Sequence, residues 1–279
     1  MKKLISLICV LAMVLALAAC GSSAPAAATE APAASTEAPA EDVSADKTFV
    51  VGICQLVQHP ALDAATQGFK DALTDALGDK VTFQEQNASG DSATCSLICN
   101  QFVSDEVDLI MANATASIQA AASATNTIPI LGTSITDYGV ALGVDNWTGV
   151  SGTNISGTSD LAPLDGQAAM IQELFPEAKT IGLLYCSGEP NSIFQADSME
   201  ALLTDMGYSV ERYTFADSND VSSVTANACS NSDVLYIPTD NTAASCTEAI
   251  NNVALSAGIP IVAGEEGLAS GCGVATLSI

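Results

Sequence analysis

From Phe49 onward, short apolar and β-branched runs alternate with segments whose apolar residues recur at steps of three and four. That alternation predicts parallel sheets covered by helices, an α/β fold. The predicted strands of the first half are Phe49 to Ile53, Val81 to Gln84, Leu109 to Met111, Ile128 to Leu131, and Leu142 to Val144. In the first helix Leu62, Ala65, Phe69, Ala72, Leu73 and Ala76 share one stripe, while Gln67, Lys70, Asp71 and Asp75 face away. Pro60 suits its first turn and Gly78 its end. Two more helices are predicted, from about Ser92 to Val103 and from about Ser117 to Ala124.

Gly149 to Ser159 is rich in Gly, Ser, Thr and Asn, has little side-chain mass to pack, and reads as a crossover or hinge. After a helix from about Pro163 to Phe175 the alternation resumes. It predicts strand Thr180 to Tyr185, helix Ser192 to Met206, strand Ser209 to Tyr213, helix Val221 to Cys229, strand Val234 to Ile237, helix Thr242 to Ala257 and strand Pro260 to Val262. Gly207 and Gly258 are the expected helix stops. The expectation is two doubly wound parallel-sheet lobes joined by a hinge, residues 47–157 and 158–279. Gly273 to Ile279 is another β-like run with nothing after it to cover its faces, so the second lobe is expected to be incomplete at its end.

The amino-terminal residues follow a different pattern. Lys2 and Lys3, an apolar run from Leu4 to Leu17, and the small residues Ala18 and Ala19 before Cys20 read as an export signal over residues 1–20. The run is too short for a membrane span. Leu17-Ala18-Ala19-Cys20-Gly21 resembles the bacterial lipobox, which implies a lipid on Cys20 and a mature protein tethered outside the cytoplasmic membrane. Residues 21–46, mostly Ala, Pro, Ser, Thr and Glu, cannot bury enough apolar surface to order themselves and read as a disordered tether.

Charge narrows the partners. The net charge is −25, and losing Lys2 and Lys3 with a leader makes it two units more negative. Such a surface repels nucleic acid and anionic lipid, and favours a soluble monomer. Seven thiols remain beyond Cys20 (Cys54, Cys95, Cys99, Cys186, Cys229, Cys246 and Cys272), an odd number that read as small buried hydrophobes. No P-loop, G-x-S-x-G elbow or H-E-x-x-H occurs, and His59 is the one histidine, so the sequence supports neither catalysis, a metal nor a cofactor.

Five blocks carry a family resemblance: GICQLVQHPALDAATQGF, NISGTSDLAP, YCSGEPNS, YIPTDNTAAS and GEEG. In this order they resemble the ABC-transporter substrate-binding lipoproteins of the tryptophan/tyrosine type, from about Lys47 to the last residue. The resemblance implies the fold of type I periplasmic binding proteins, whose two α/β lobes close on a small ligand. It also implies an aromatic or other amino acid as ligand, and an ABC permease with its ATPase as partners. The chain departs from the family in stopping early, and in having Tyr138-Gly139 after Asp137, where the family commonly has proline.

Ligands of open α/β sheets collect at the carboxyl edge of the strands. That edge offers Gln55, His59, Thr115, Thr133 and Ser134 in the first lobe. In the second it offers Ser187, Glu189, Asn191, Ser192, Thr239, Asp240, Asn241 and Glu265. Hydroxyls and helix-start N–H groups suit a carboxylate, and side-chain carboxylates suit an ammonium. Asp240 is the first choice for the ammonium and Glu189 the second, with capping of the next helix as the alternative for Asp240. Thr115 and Ser134 are the choices for the carboxylate, with capping as their alternative. Gln55 reads as a ligand contact or a bond fixing its loop, and His59 as the loop's shoulder or cap, with ligand contact as the alternative. Tyr138, Tyr185, Tyr236 and Trp147 are the candidates to flank an aromatic ligand, or else core. A ligand-sensing surface receptor and a carboxylate-dependent surface enzyme are the competing functions.

Overall fold

The computed structural model describes residues 47–278. The export signal, Cys20 and the tether lie outside the described residues.

The first lobe runs β1 (Phe49–Gln55), α1 (Pro60–Leu77), β2 (Val81–Asn87), α2 (Ser92–Ser104), β3 (Leu109–Asn113), α3 (Thr115–Ala124), β4 (Ile130–Ile135), α4 (Tyr138–Leu142) and β5 (Ile155–Ser159). Its five strands lie in the order β2-β1-β3-β4-β5, every neighbouring pair parallel. The second lobe begins with α5 (Leu164–Leu174), β6 (Thr180–Cys186), α6 (Pro190–Asp205), β7 (Ser209–Phe215), α7 (Val221–Asn231) and β8 (Val234–Ile237). It continues with α8 (Asn241–Ser245), α9 (Thr247–Ala257), β9 (Ile261–Ala263), α10 (Glu266–Cys272) and β10 (Ala275–Thr276). This sheet is ordered β10-β9-β8-β6-β7 and is also parallel throughout.

Strand alternation divides each core between two faces. Val51, Ile53, Val81 and Met111 meet Phe69, Leu73 and Leu77 of α1. Cys54, Ile110 and Ala112 pack on the opposite face with Cys95, Phe102 and Ile118 of α2 and α3. Gly52 belongs to that second face because a Cβ there would sit 2.6 Å from the Phe102 ring. In the second lobe Ile181, Leu183 and Tyr185 face Ala168, Ile171 and Met199, while Leu184 and Leu235 face Ala228 and Ile250.

Several strands reach further than their apolar runs. β1 continues to Gln55, β3 to Asn113 and β4 to Ile135, and the parallel register aligns Asn87 with Gln55, Gln55 with Asn113, and Asn113 with Thr133. A polar row thus crosses the carboxyl edge of the first sheet within the ladder itself.

Four expectations are corrected. Leu142 to Val144 is not a strand: Asp137 caps α4 by accepting from the Val140 N–H at 2.7 Å, and Gly143, at φ 64°, ends it. Tyr138 occupies the first helical position, where a proline also fits. The fifth strand is instead β5, inside the stretch read as a hinge. Its small residues suit an edge, and Gly157 approaches so closely that a Cβ would lie 2.1 Å from both the Gly132 carbonyl and the Tyr138 hydroxyl. The helix expected from Thr242 to Ala257 breaks into α8 and α9 at Cys246. On α1, Ala72 and Ala76 are exposed, and the inward stripe is Leu62, Thr66, Phe69, Leu73 and Leu77. Helix α10, absent from the sequence reading, is capped by Glu265, whose carboxylate accepts from the Gly267 and Leu268 N–H groups.

Candidate functional site

The carboxyl ends of both sheets border a cavity of about 260 Å³. The first lobe lines it with His59 at the start of α1, Ser134 and Thr136 around the end of β4, and Asp160 just after β5. The second contributes Asn191 from α6, Thr239 to Asn241 after β8, and Glu265 after β9. Its apolar wall is made of small side chains and one larger one: Ala61, Leu62, Ala162, Ala244 and Gly264.

Two features of the first lobe arise from tertiary structure. Ser134 has φ 57°, a left-handed conformation that side-chain-bearing residues adopt at a cost and that places its hydroxyl out of ordinary strand alternation. Asp160 donates its N–H to the Ile135 carbonyl at 3.1 Å, which fixes the turn leaving β5. Its side-chain Oδ1 is buried without a hydrogen-bond partner. Burial raises the Asp160 pKa above the ordinary carboxylate range and nearby Glu265 adds to the rise, opposed by the Thr136 hydroxyl and the Asp160 N–H. A buried acceptor of this kind fits a cationic donor.

Asp240 also lines the cavity, but its oxygens are engaged. One accepts from the Ala243 N–H at 2.7 Å, capping α8, and the other from the Cys186 N–H at 2.7 Å, tying β6 to the loop after β8. Desolvation, and secondarily Glu189, push its pKa up. Glu189 lies outside the cavity and accepts five hydrogen bonds. They come from the N–H and Nδ2 of Asn241, the N–H and hydroxyl of Thr242, and the Nδ2 of Asn191, at 2.7 to 3.1 Å.

Of the remaining candidates, Ser134, Asn191, Thr239, Asn241 and Glu265 line the cavity, whereas Gln55, Thr115, Thr133, Ser187 and Ser192 do not. Gln55 holds its loop: Nε2 donates to the Val57 carbonyl at 2.9 Å and Asp63 at 2.7 Å, and Oε1 accepts from Thr66 at 2.6 Å. Thr115 opens α3 almost fully buried, Thr133 stays in the β4 ladder, and Ser187 donates to the Phe215 carbonyl at 3.2 Å. Ser192, wholly buried, receives Asn191 Nδ2 at 3.3 Å. Tyr236 is core and donates to Gln167 at 2.6 Å, Tyr185 is buried, and Tyr138 stacks on Trp147 with centroids 6.0 Å apart. None of these aromatic residues lines the cavity.

Sequence reasoning missed Thr136 and Asp160 and undervalued His59. Asp160 stands in the NISGTSDLAP block, and its place at a strand end becomes visible only once Ile155–Ser159 is recognised as a strand. Among the described residues no helix is long and apolar enough to cross a membrane, and no group of three His, Cys, Asp or Glu side chains is placed to hold a metal ion.

Two parallel α/β lobes facing a shared polar cavity define a two-lobed solute receptor of the type I periplasmic-binding-protein fold. The profile of the "ABC transporter substrate binding protein" family matches residues 50–279. A tyrosine-binding protein of Clostridioides difficile is 40% identical over 232 residues, which span 82% of this chain and 67% of that one. The chain belongs to the ABC transporter substrate-binding protein family, whose members are extracytoplasmic binding proteins rather than enzymes.

Two solved structures are similar to this chain. The Streptococcus pneumonia ABC domain in complex with L-Trp is 30% identical, with TM-score 0.76 over 80% of this chain and 76% of that one. A ligand-free, open substrate-binding protein with adhesive properties from Clostridium difficile is 38% identical, with TM-score 0.56 over 81% and 77%.

Proposed function

We propose that this protein is the extracytoplasmic capture component of an ABC importer, and that its ligand is an amino acid held with its ammonium on Asp160. The observation that carries the ligand reading is the buried, partnerless Asp160 Oδ1 in a cavity shared by both lobes. Asp160 takes the role first given to Asp240, because the Asp240 oxygens are already engaged by backbone N–H groups.

Among the described residues no lysine or arginine lines the cavity, so the ligand carboxylate is held by neutral donors. Ser134 and Thr239 offer hydroxyls from opposite lobes. The ligand side chain lies against Leu62 and the small residues Ala61, Ala162 and Ala244, which leave room for a ring. The tyrosine-binding relative and the tryptophan complex support an aromatic side chain. Delivery is to a permease driven by an ATPase, and the tether is a lipid on Cys20, as the amino-terminal pattern suggests.

Calorimetric titration against L-amino acids, nucleosides and sugars tests this reading. Saturable heat with tyrosine or tryptophan and none with nucleosides or sugars is the expected result. A folded protein that gives no heat with any amino acid overturns it.

A further inference from the structure

His59 and Asn241 are separated by 182 positions, one in each lobe, yet His59 Nε2 lies 3.2 Å from Asn241 Oδ1 in a buried contact. The amide assignment of Asn241 follows from its other partners. Its Nδ2 donates to Glu189 Oε2 at 2.7 Å, and its backbone N–H donates to the same oxygen at 3.0 Å. An amide with its nitrogen committed to a carboxylate presents oxygen at its other end, so His59 Nε2 must carry the proton. Glu189 cannot turn to accommodate another arrangement, because Thr242 donates to its second oxygen through both N–H and hydroxyl.

From this geometry we infer that His59 and the Glu189-anchored Asn241 form a cross-cleft latch that holds the lobes together over a bound ligand. The second lobe contributes a rigid acceptor and the first a donor at the start of α1, beside the cavity wall. Parting the lobes breaks this bond while leaving the Glu189 cluster intact, since every partner of that carboxylate belongs to the second lobe. The bond forms whenever the lobes meet, with or without a ligand, and an enclosed ligand can leave only after it breaks, so it acts chiefly on release. His59, Asn241 and Glu189 act here as positioning residues; the inference rests on the ligand occupying this cavity.

The test is a double-mutant cycle in the full chain, with L-tyrosine as probe, following association and dissociation rates separately. His59→Ala and Asn241→Ala are each expected to speed dissociation by about tenfold, the equivalent of one buried hydrogen bond, with little change in association. The double variant should be no faster than either single one, because the same bond is lost once. His59→Gln, which keeps an N–H donor, should restore slow release. Effects that multiply to about a hundredfold in the double variant, or no effect on release in any variant, overturn the latch. X-ray scattering of the ligand-free protein gives a readout independent of the probe. His59→Ala should enlarge the radius of gyration, and an unchanged radius counts against the latch whether or not tyrosine binds. Failure of the wild type to bind any amino acid instead overturns the ligand reading.

Discussion

Asp160→Asn separates the needs of the empty protein from those of the loaded one. In the empty cavity the Asp160 carboxylate is buried, has an unpartnered oxygen and feels Glu265, so its folded-state pKa is raised. A raised carboxyl pKa means that its contribution to stability is fully present below the unfolded value and is lost as pH rises through the folded one. Above the unfolded value the acid thus costs the ligand-free fold stability, and a neutral amide of the same shape relieves that cost. The variant should melt higher than wild type without ligand, with the difference shrinking as the pH falls towards the unfolded carboxyl value of 3.8. With ligand the order reverses. Losing a charge-assisted bond to an ammonium costs about 1.5–3 kcal/mol, or roughly 10- to 150-fold in affinity. Paired melting curves with and without tyrosine, at several pH values, measure both effects, and titration calorimetry gives the affinity. Unchanged affinity would move the ammonium off Asp160, and a lower ligand-free melting temperature at neutral pH would refute the reading of an uncompensated carboxylate.

Two further substitutions test the scaffold. Gly157→Ala forces a Cβ to 2.1 Å from the Gly132 carbonyl and the Tyr138 hydroxyl at φ 154°, and should lower stability by about 3 kcal/mol in urea unfolding; an unchanged midpoint would disprove the close approach. Gln55→Leu removes the bonds to Val57, Asp63 and Thr66 and should cost about 2–3 kcal/mol while affinity changes little, whereas a large loss of affinity in a protein of normal stability would make Gln55 a ligand contact.

The architecture was legible wherever a local pattern carries its own boundaries. Helix α2 and strand β8 stand nearly where their periodicity and flanks place them, because Asp91 caps one and four consecutive buried residues make up the other. Strand β5 was hidden because it is held by its ladder to β4, not by side-chain mass. The Leu142 to Val144 run misled because an apolar run too short to show a period fits a helix end as well as a strand. At the site, strand ends indicated the edge that borders the cavity but not which side chains reach it. Gln55 and Glu189 carry suitable chemistry, but Gln55 bonds its own loop and Glu189 the start of α8, whereas Asp160 Oδ1 stands out by the partner it lacks. The contact between His59 and Asn241 depends on how the lobes meet, which no local pattern records.

If the proposed ligand occupies this cavity, the lack of lysine and arginine among its described lining residues is expected to make it an electrostatic filter. Asp160, Asp240, Glu265 and Glu266 border the site, and among the described residues no lysine or arginine lines it. A zwitterion can present its positive end to this wall and leave its negative end among hydroxyls. A dicarboxylic amino acid brings a second anion with no counter-ion, and two like charges about 5 Å apart repel by about 3 kcal/mol at an effective dielectric near 20. Selectivity against acidic solutes is then expected to arise through exclusion, without any group built to recognise them. Glutamine compared with glutamate, near-isosteres that differ in charge, isolates that exclusion: equal affinities would show that the carboxylate wall does not act as a filter.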